Sequence, residues 1–234
     1  MDRTTRHDLK SDKFVQEVAH SVEFLESHRG QLIRYGSIVL ALVVVGVGLY
    51  YFLQTRKRAR FGELSSAMLV YNSAVGPDLG NRMRSFPTEE ARQQAIKKSM
   101  NGFIEKYAGT EEAGIASYLL GTNAADQGDI PAARRYLAEA MKEGGKDYGS
   151  LAKFALAGIA SSEGKNAEAE QLLRELVANP TVLVGKEQAT IALAQAIASS
   201  KPDEARKLLE PLRTETGAAS RTALTVLADL NKGK

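Results

Sequence analysis

Three histidines, His7, His20 and His28, are the side chains of this sequence best suited to proton transfer near neutral pH or to metal ligation, and all three precede residue 29. The chain has no cysteine. From Arg29 onward the commonest general base, the most reactive nucleophile and the usual zinc ligands are therefore missing together. His20 and His28 lie eight residues apart and can share a helix face, but no acidic or thiol co-ligand stands at matching spacing. Carboxylate or lysine chemistry has no motif to mark it. No catalytic, cofactor-binding or metal-ligating residue is assigned, no cofactor is expected, and the chain is not expected to be an enzyme. What remains is the chemistry of contact. Tyr118, Phe154 and Thr190 recur at one position of a repeat and form the candidate protein-binding groove.

The elements that would carry such a groove begin with an anchor. Tyr35 to Leu53, YGSIVLALVVVGVGLYYFL, contains no charged residue and is closed by Arg34 and Arg56. As a helix it would span roughly 28 Å, close to the hydrocarbon core of a bilayer. It starts too late for a secretory signal and ends in Tyr50, Tyr51 and Phe52 rather than a small-residue cleavage site, so it is expected to be an uncleaved span. It is apolar on every face, which fits a soluble core helix poorly, and its aromatic ends suit the two water interfaces. Gly36, Gly46 and Gly48 lack the four-residue spacing that brings two spans into close contact. Self-association through it is not expected.

Charge divides on either side of this stretch. Residues 1–60 hold ten Lys or Arg against six acids, whereas the remainder holds 21 against 22. A body without net positive charge lacks the electrostatic footprint of phosphate binding, so nucleic acid is not an expected partner, and no small-molecule substrate is expected. Close to the span, Arg29 and Arg34 stand on one side and Arg56, Lys57, Arg58 and Arg60 on the other. Taken alone, four against two places the body in the cytoplasm.

The expected organisation is a polar arm over 1–34, a transmembrane helix over 35–53, a juxtamembrane helix and loop over 54–87, and a helical repeat domain over 88–234. In the arm, Phe14, Val15, Val18, Val22 and Leu25 draw an apolar stripe along a helix over 8–28. That helix either lies on the membrane or a partner's span, or simply leads into the bilayer. Phe61 to Val75 continues helically, with Leu64, Ala67, Met68 and Tyr71 on one side. Gly76, Pro77, Asp78, Gly80, Asn81 and Pro87 then supply a loop expected to let the body move relative to its anchor, before a helix from about Thr88 to Tyr107.

From there the chain repeats. GDIPAARRYLAEAM (128–141), GKNAEAEQLLRELV (164–177) and SKPDEARKLLEPLR (200–213) each begin 36 residues after the last. Ala133, Ala169 and Ala205 coincide, as do Leu137, Leu173 and Leu209. Each block is preceded by a partner helix: YLLGTNAADQ, FALAGIASSE and TIALAQAIAS. Gly121, Ala124, Ala157, Ala160 and Ala196 sit where two helices must approach closely. A two-helix unit at this period predicts an all-α solenoid of three units, with Ala218 to Asn231 as a terminal helix. Tyr118 and Phe154 either line its concave face or serve as core packing.

These residues resemble the tetratricopeptide repeat. Leu120, Gly121, Ala124, Gly128, Ala133, Leu137 and Ala140 match its pattern in the first unit, Leu156, Ala157, Ala160, Gly164, Ala169 and Leu173 in the second, and Ala196, Ala205 and Leu209 in the third. The pattern's tryptophan is absent and the period is two residues longer. Its sites for clamping a chaperone's C-terminal carboxylate are occupied here by Thr122, Gly158 and Ala194, which disfavours that mode.

The whole arrangement, with a segment running from Arg60 through Tyr71, Asn72, Ala74 and Val75, resembles the YfgM-like ancillary subunits of the bacterial Sec translocon. The resemblance implies a single-pass protein of the bacterial inner membrane whose C-terminal domain is periplasmic and contacts translocon subunits, periplasmic chaperones or exported clients. On orientation it is preferred here over the charge count. Two functions follow: an adaptor that captures protein partners beside the bilayer, or a structural scaffold subunit of another envelope complex that binds no client.

Overall fold

The computed structural model describes residues 29–77, 85–214 and 217–232. The arm helix expected over 8–28 and the three histidines lie outside them. The chain divides into two compact units, Met1–Ala59 and Arg60–Lys234. Nine α-helices, one short 3₁₀ helix and one minimal strand pair make up the regular structure of the described residues.

Helix α1, Arg29–Tyr71, runs 43 residues and contributes to both units. Its apolar part is long enough to cross a membrane, and none of that window is buried inside the protein. Between Ile38 and Leu53 its large apolar side chains are 49–67% exposed, whichever way they point around the helix. That pattern separates it from the core helix of a soluble domain, which buries a face.

The second unit opens with the end of α1. Leu64, Ala67 and Val70 are buried against Ile96, Met100, Phe103 and Ile104 of α2, Glu89–Lys106. Strands β1, Ala74–Val75, and β2, Ser85–Phe86, pair in parallel in the register Ala74 with Ser85 and Val75 with Phe86, and Gly76 N–H donates to Phe86 at 2.9 Å. Arg92 closes the corner. Its Nε donates to the Ser73 carbonyl at 2.8 Å and its Nη2 to the Tyr71 carbonyl at 3.2 Å, satisfying acceptors left open where α1 ends. The turn expected to be a hinge between body and anchor is therefore internal to the second unit. Elements of one apolar cluster stand on both sides of it, and residues 78–84 lie outside the description.

Three helical hairpins follow. They pair α3, Glu111–Asp126, with α4, Ile130–Glu143; α5, Gly145–Ser162, with α6, Asn166–Ala178; and α7, Lys186–Ile197, with α8, Pro202–Leu209. Thr88, Thr110 and Asp129 cap α2, α3 and α4 by accepting from the backbone N–H groups of Ala91, Ala113 and Ala132. The repeating positions are the core. Ala133, Ala169, Ala205, Leu137, Leu173 and Leu209 are all buried.

Within the first two hairpins the turn is the same. Gly128 and Gly164 adopt φ of 76° and 73°, and the next residue's N–H, of Asp129 or Lys165, reaches back to the Ala124 or Ala160 carbonyl at 2.9 and 2.8 Å. The third hairpin has Ser200 at the glycine position. There Lys201 N–H bonds Ile197 instead, at 2.7 Å, because a residue with a Cβ resists the left-handed conformation. Pro211 then denies the continuing helix a donor, so α8 stops after eight residues and passes into a 3₁₀ turn, Glu210–Thr214. Helix α9, Ala218–Lys232, closes the stack with Ala223 and Leu227 in the same apolar cluster as α7 and α8.

Candidate protein-binding groove

Successive hairpins are tied by ion pairs between their second helices. Arg134 on α4 reaches Glu163 at 2.7 Å and Glu168 on α6 at 2.8 Å, and Lys165 joins Glu163 at 2.8 Å. One repeat on, Glu170 of α6 pairs with Lys201 at 2.6 Å, and Arg174 pairs with Glu170 and with Glu204 of α8. The junction recurs although its charges are partly exchanged: Lys201 and Glu204 stand 36 residues after Lys165 and Glu168, whereas Glu170 stands where Arg134 does. Hydrogen bonds from Arg134 and Lys165 hold the Glu163 carboxyl down at about 2, and Lys201 and Arg174 lower that of Glu170. A carboxylate depressed in the folded state adds stability above its unfolded pKa and loses it as pH falls toward its folded one. The urea midpoint is accordingly expected to drop between about pH 4.5 and pH 2, and the drop should shrink in Glu163→Gln; an unchanged midpoint across that window would contradict the ladder.

With the second helices occupied in this way, the first helices border the open space. A cleft of about 410 Å³ lies between α5, α6 and α7, lined by Phe154, Gly158 and Ser161 on α5, Asn166 and Leu173 on α6, and Ala192, Gln195 and Ser199 toward α7. Its lining carries no charge. A second cleft of about 730 Å³ shares Gln195 and Ser199 and continues between α7, α8 and α9 past Pro202, Asp203, Arg206, Val226 and Leu230. Arg206 is held at its base. Nη1 pairs with Asp203 at 2.7 Å and Nη2 donates to the Leu230 carbonyl at 2.7 Å, while Nε is buried with no hydrogen-bond partner among the described residues. Apolar floor with scattered amide and hydroxyl groups is the chemistry that receives a peptide segment: side chains bury, and backbone groups find partners.

The three residues expected at one equivalent position take up different surroundings. Phe154 borders the cleft and packs on the core beneath it. Tyr118 is half-buried and meets Tyr148 of α5 edge to face, with ring centroids 5.6 Å apart. Burial, with Tyr148 and Tyr71 nearby, pushes its phenol up. Thr190 is buried at 7% exposure and its hydroxyl donates to the Lys186 carbonyl at 2.8 Å. Tyr118 thus lies at the seam between α3 and α5, Thr190 is buried, and Phe154 is the member that borders open space. Gln195 and Ser199, which both clefts share, were not singled out by the repeat comparison. Each first helix shows one side to the preceding unit and another to the next, so residues meeting across a cleft are not equivalent in register. The usable signal was a single polar residue, Gln195, set between Ala194 and Ala196.

Residues 30–180 match the family described as a tetratricopeptide repeat-like domain, more than half of the chain, and the chain belongs to that family. The match begins at the apolar helix and runs through α6. No curated protein and no solved structure matches the chain. Family membership gives a repeat protein of the kind that serves protein–protein interaction.

Proposed function

We propose that the chain is a non-catalytic, membrane-anchored adaptor of the bacterial inner membrane, an ancillary translocon subunit that links Sec export to periplasmic chaperones. One observation carries the adaptor reading. An apolar helix exposed on all sides and the two helices, α5 and α6, that form two walls of an open cleft fall within a single family match, and α7, just beyond it, completes the cleft. The span acts as the address, and the anchor raises the effective concentration of the cleft beside the bilayer. The translocon and the periplasmic orientation are supported by the resemblance to YfgM-like subunits. In this reading Phe154, flanked by Gly158 and Gln195, receives an apolar side chain of a chaperone, a translocon subunit or an exported client. The seam at Tyr118, closed by Tyr148, favours the scaffold alternative, in which hairpins only dock to neighbours.

Copurification of the full chain from gently solubilised membrane separates the two. Translocon and chaperone subunits should be recovered, with an alkaline phosphatase fused to the C-terminus active. Gly158→Arg puts a long side chain across the cleft where a Cβ meets nothing within 4 Å, so it should fold normally. Partner recovery should fall at least about tenfold, the scale of losing a central contact. Undiminished recovery by folded Gly158→Arg would refute the groove, and a different stable assembly would support the scaffold.

A further inference from the structure

Between residues 27 and 62 there is no acidic residue, and within that interval Arg56, Lys57 and Arg58 follow directly on the apolar segment. All three are exposed, and Arg60, in the second unit, pairs with Glu112. Arg56 lies over the Phe52 ring at 4.4 Å, so its charge is held at the level of the aromatic residues Tyr50 to Phe52. Consecutive helical residues are rotated by about 100°, and three in a row therefore point to three sides of α1. A flat protein surface meets one side of a helix. A ring of lipid headgroups meets all of them.

We propose that Arg56, Lys57 and Arg58 form a collar that selects anionic phospholipids around this end of the span. The proposal rests on α1 crossing the bilayer. It accounts for a concentration of positive charge on the side that the proposed orientation exports, where charge alone would resist translocation. Each basic residue near an anionic surface is worth about fivefold in affinity.

The test uses the full chain in nanodiscs of equal phosphatidylglycerol and phosphatidylcholine, with the lipids that stay bound counted by native mass spectrometry. The wild type should retain phosphatidylglycerol at least about fivefold over phosphatidylcholine. The triple variant R56Q/K57Q/R58Q should fall to near parity, while R29Q/R34Q, at the other end, keeps most of the preference. Glutamine is a good helix former and the three sites are exposed, so an unchanged urea midpoint of the second unit shows that the triple variant is folded. An unaltered preference in the triple variant, a preference lost only in R29Q/R34Q, or parity in the wild type overturns the collar. An alkaline wash of vesicles tells the two failures apart. Protein that resists extraction yet shows no preference refutes the collar alone, and protein released by the wash refutes the span and the collar with it.

Discussion

Arg60→Ala is expected to cost the second unit about 3 kcal/mol, read as a lowered urea midpoint of the full chain, because it strands a buried carboxylate. Glu112 sits in the first turn of α3 with a side chain 1% exposed. Its Oε2 accepts from Arg60 Nε at 2.9 Å, and its Oε1 is buried with no hydrogen-bond partner among the described residues. Removing the guanidinium leaves a charge that water reaches poorly. Arg60 is itself 23% exposed, which puts the loss at the lower end of the range for broken buried pairs. The partner substitution supplies the control. In Arg60→Ala/Glu112→Leu both charges are gone, and most of the loss should return, since an apolar pair of similar volume is often as stable as a buried ion pair. A surface pair such as Lys106 with Glu63, 58% and 48% exposed, should show no comparable effect when Lys106 is replaced by alanine. If Arg60→Ala moved the midpoint no more than that, the pair would contribute nothing to the fold.

The contrast between these two pairs shows where the sequence stops being informative. A glutamate in a helix's first turn is read as an ordinary N-terminal acid, favourable to the helix dipole and solvated. Nothing local says that Glu112 is buried, because its partner lies 52 residues earlier on a helix that is first of all an apolar span. Features that repeat were legible: the 36-residue spacing, the buried Ala133, Ala169 and Ala205, and the glycines that turn the first two hairpins. The pair made by the end of α1 with α2 was missed as a unit. Its first member carries no repeat pattern of its own and is separated from the second by Gly76, Pro77 and Pro87, which read as a break. The clefts were half legible. Phe154 came from the repeat register, but Gln195, Ser199 and the contribution of α9 depend on how non-equivalent sides of neighbouring helices face one another.

Gly114→Ala should be among the most damaging single changes in the repeat body, above about 3 kcal/mol and beyond ordinary overpacking. A Cβ at Gly114 would fall on the backbone N and Cα of Gly144 and within 2.5 Å of the Glu143 carbonyl carbon. These atoms belong to the corner where α4 ends and α5 begins. Gly144 N–H is fixed there to the Ala140 carbonyl at 2.8 Å, and Gly145 holds φ at 64°. Backbone in such a corner cannot swing aside as a side chain does, so α3 must move away from the hairpin it packs on. Gly121 gives the graded comparison, since a Cβ there meets chiefly Leu137 side-chain atoms, at 2.7 and 2.9 Å, that can rotate. Gly121→Ala should lose only about 1 kcal/mol, the steric cost being partly offset by alanine's better helix propensity. At Gly158, open to the cleft, the same substitution meets nothing and should gain up to about 1 kcal/mol. Helix propensity favours alanine at all three sites. Urea midpoints ranked Gly158→Ala, then wild type, then Gly121→Ala, then Gly114→Ala would therefore measure how closely the backbones approach, and a mild Gly114→Ala would mean that α3 does not sit against that corner in solution.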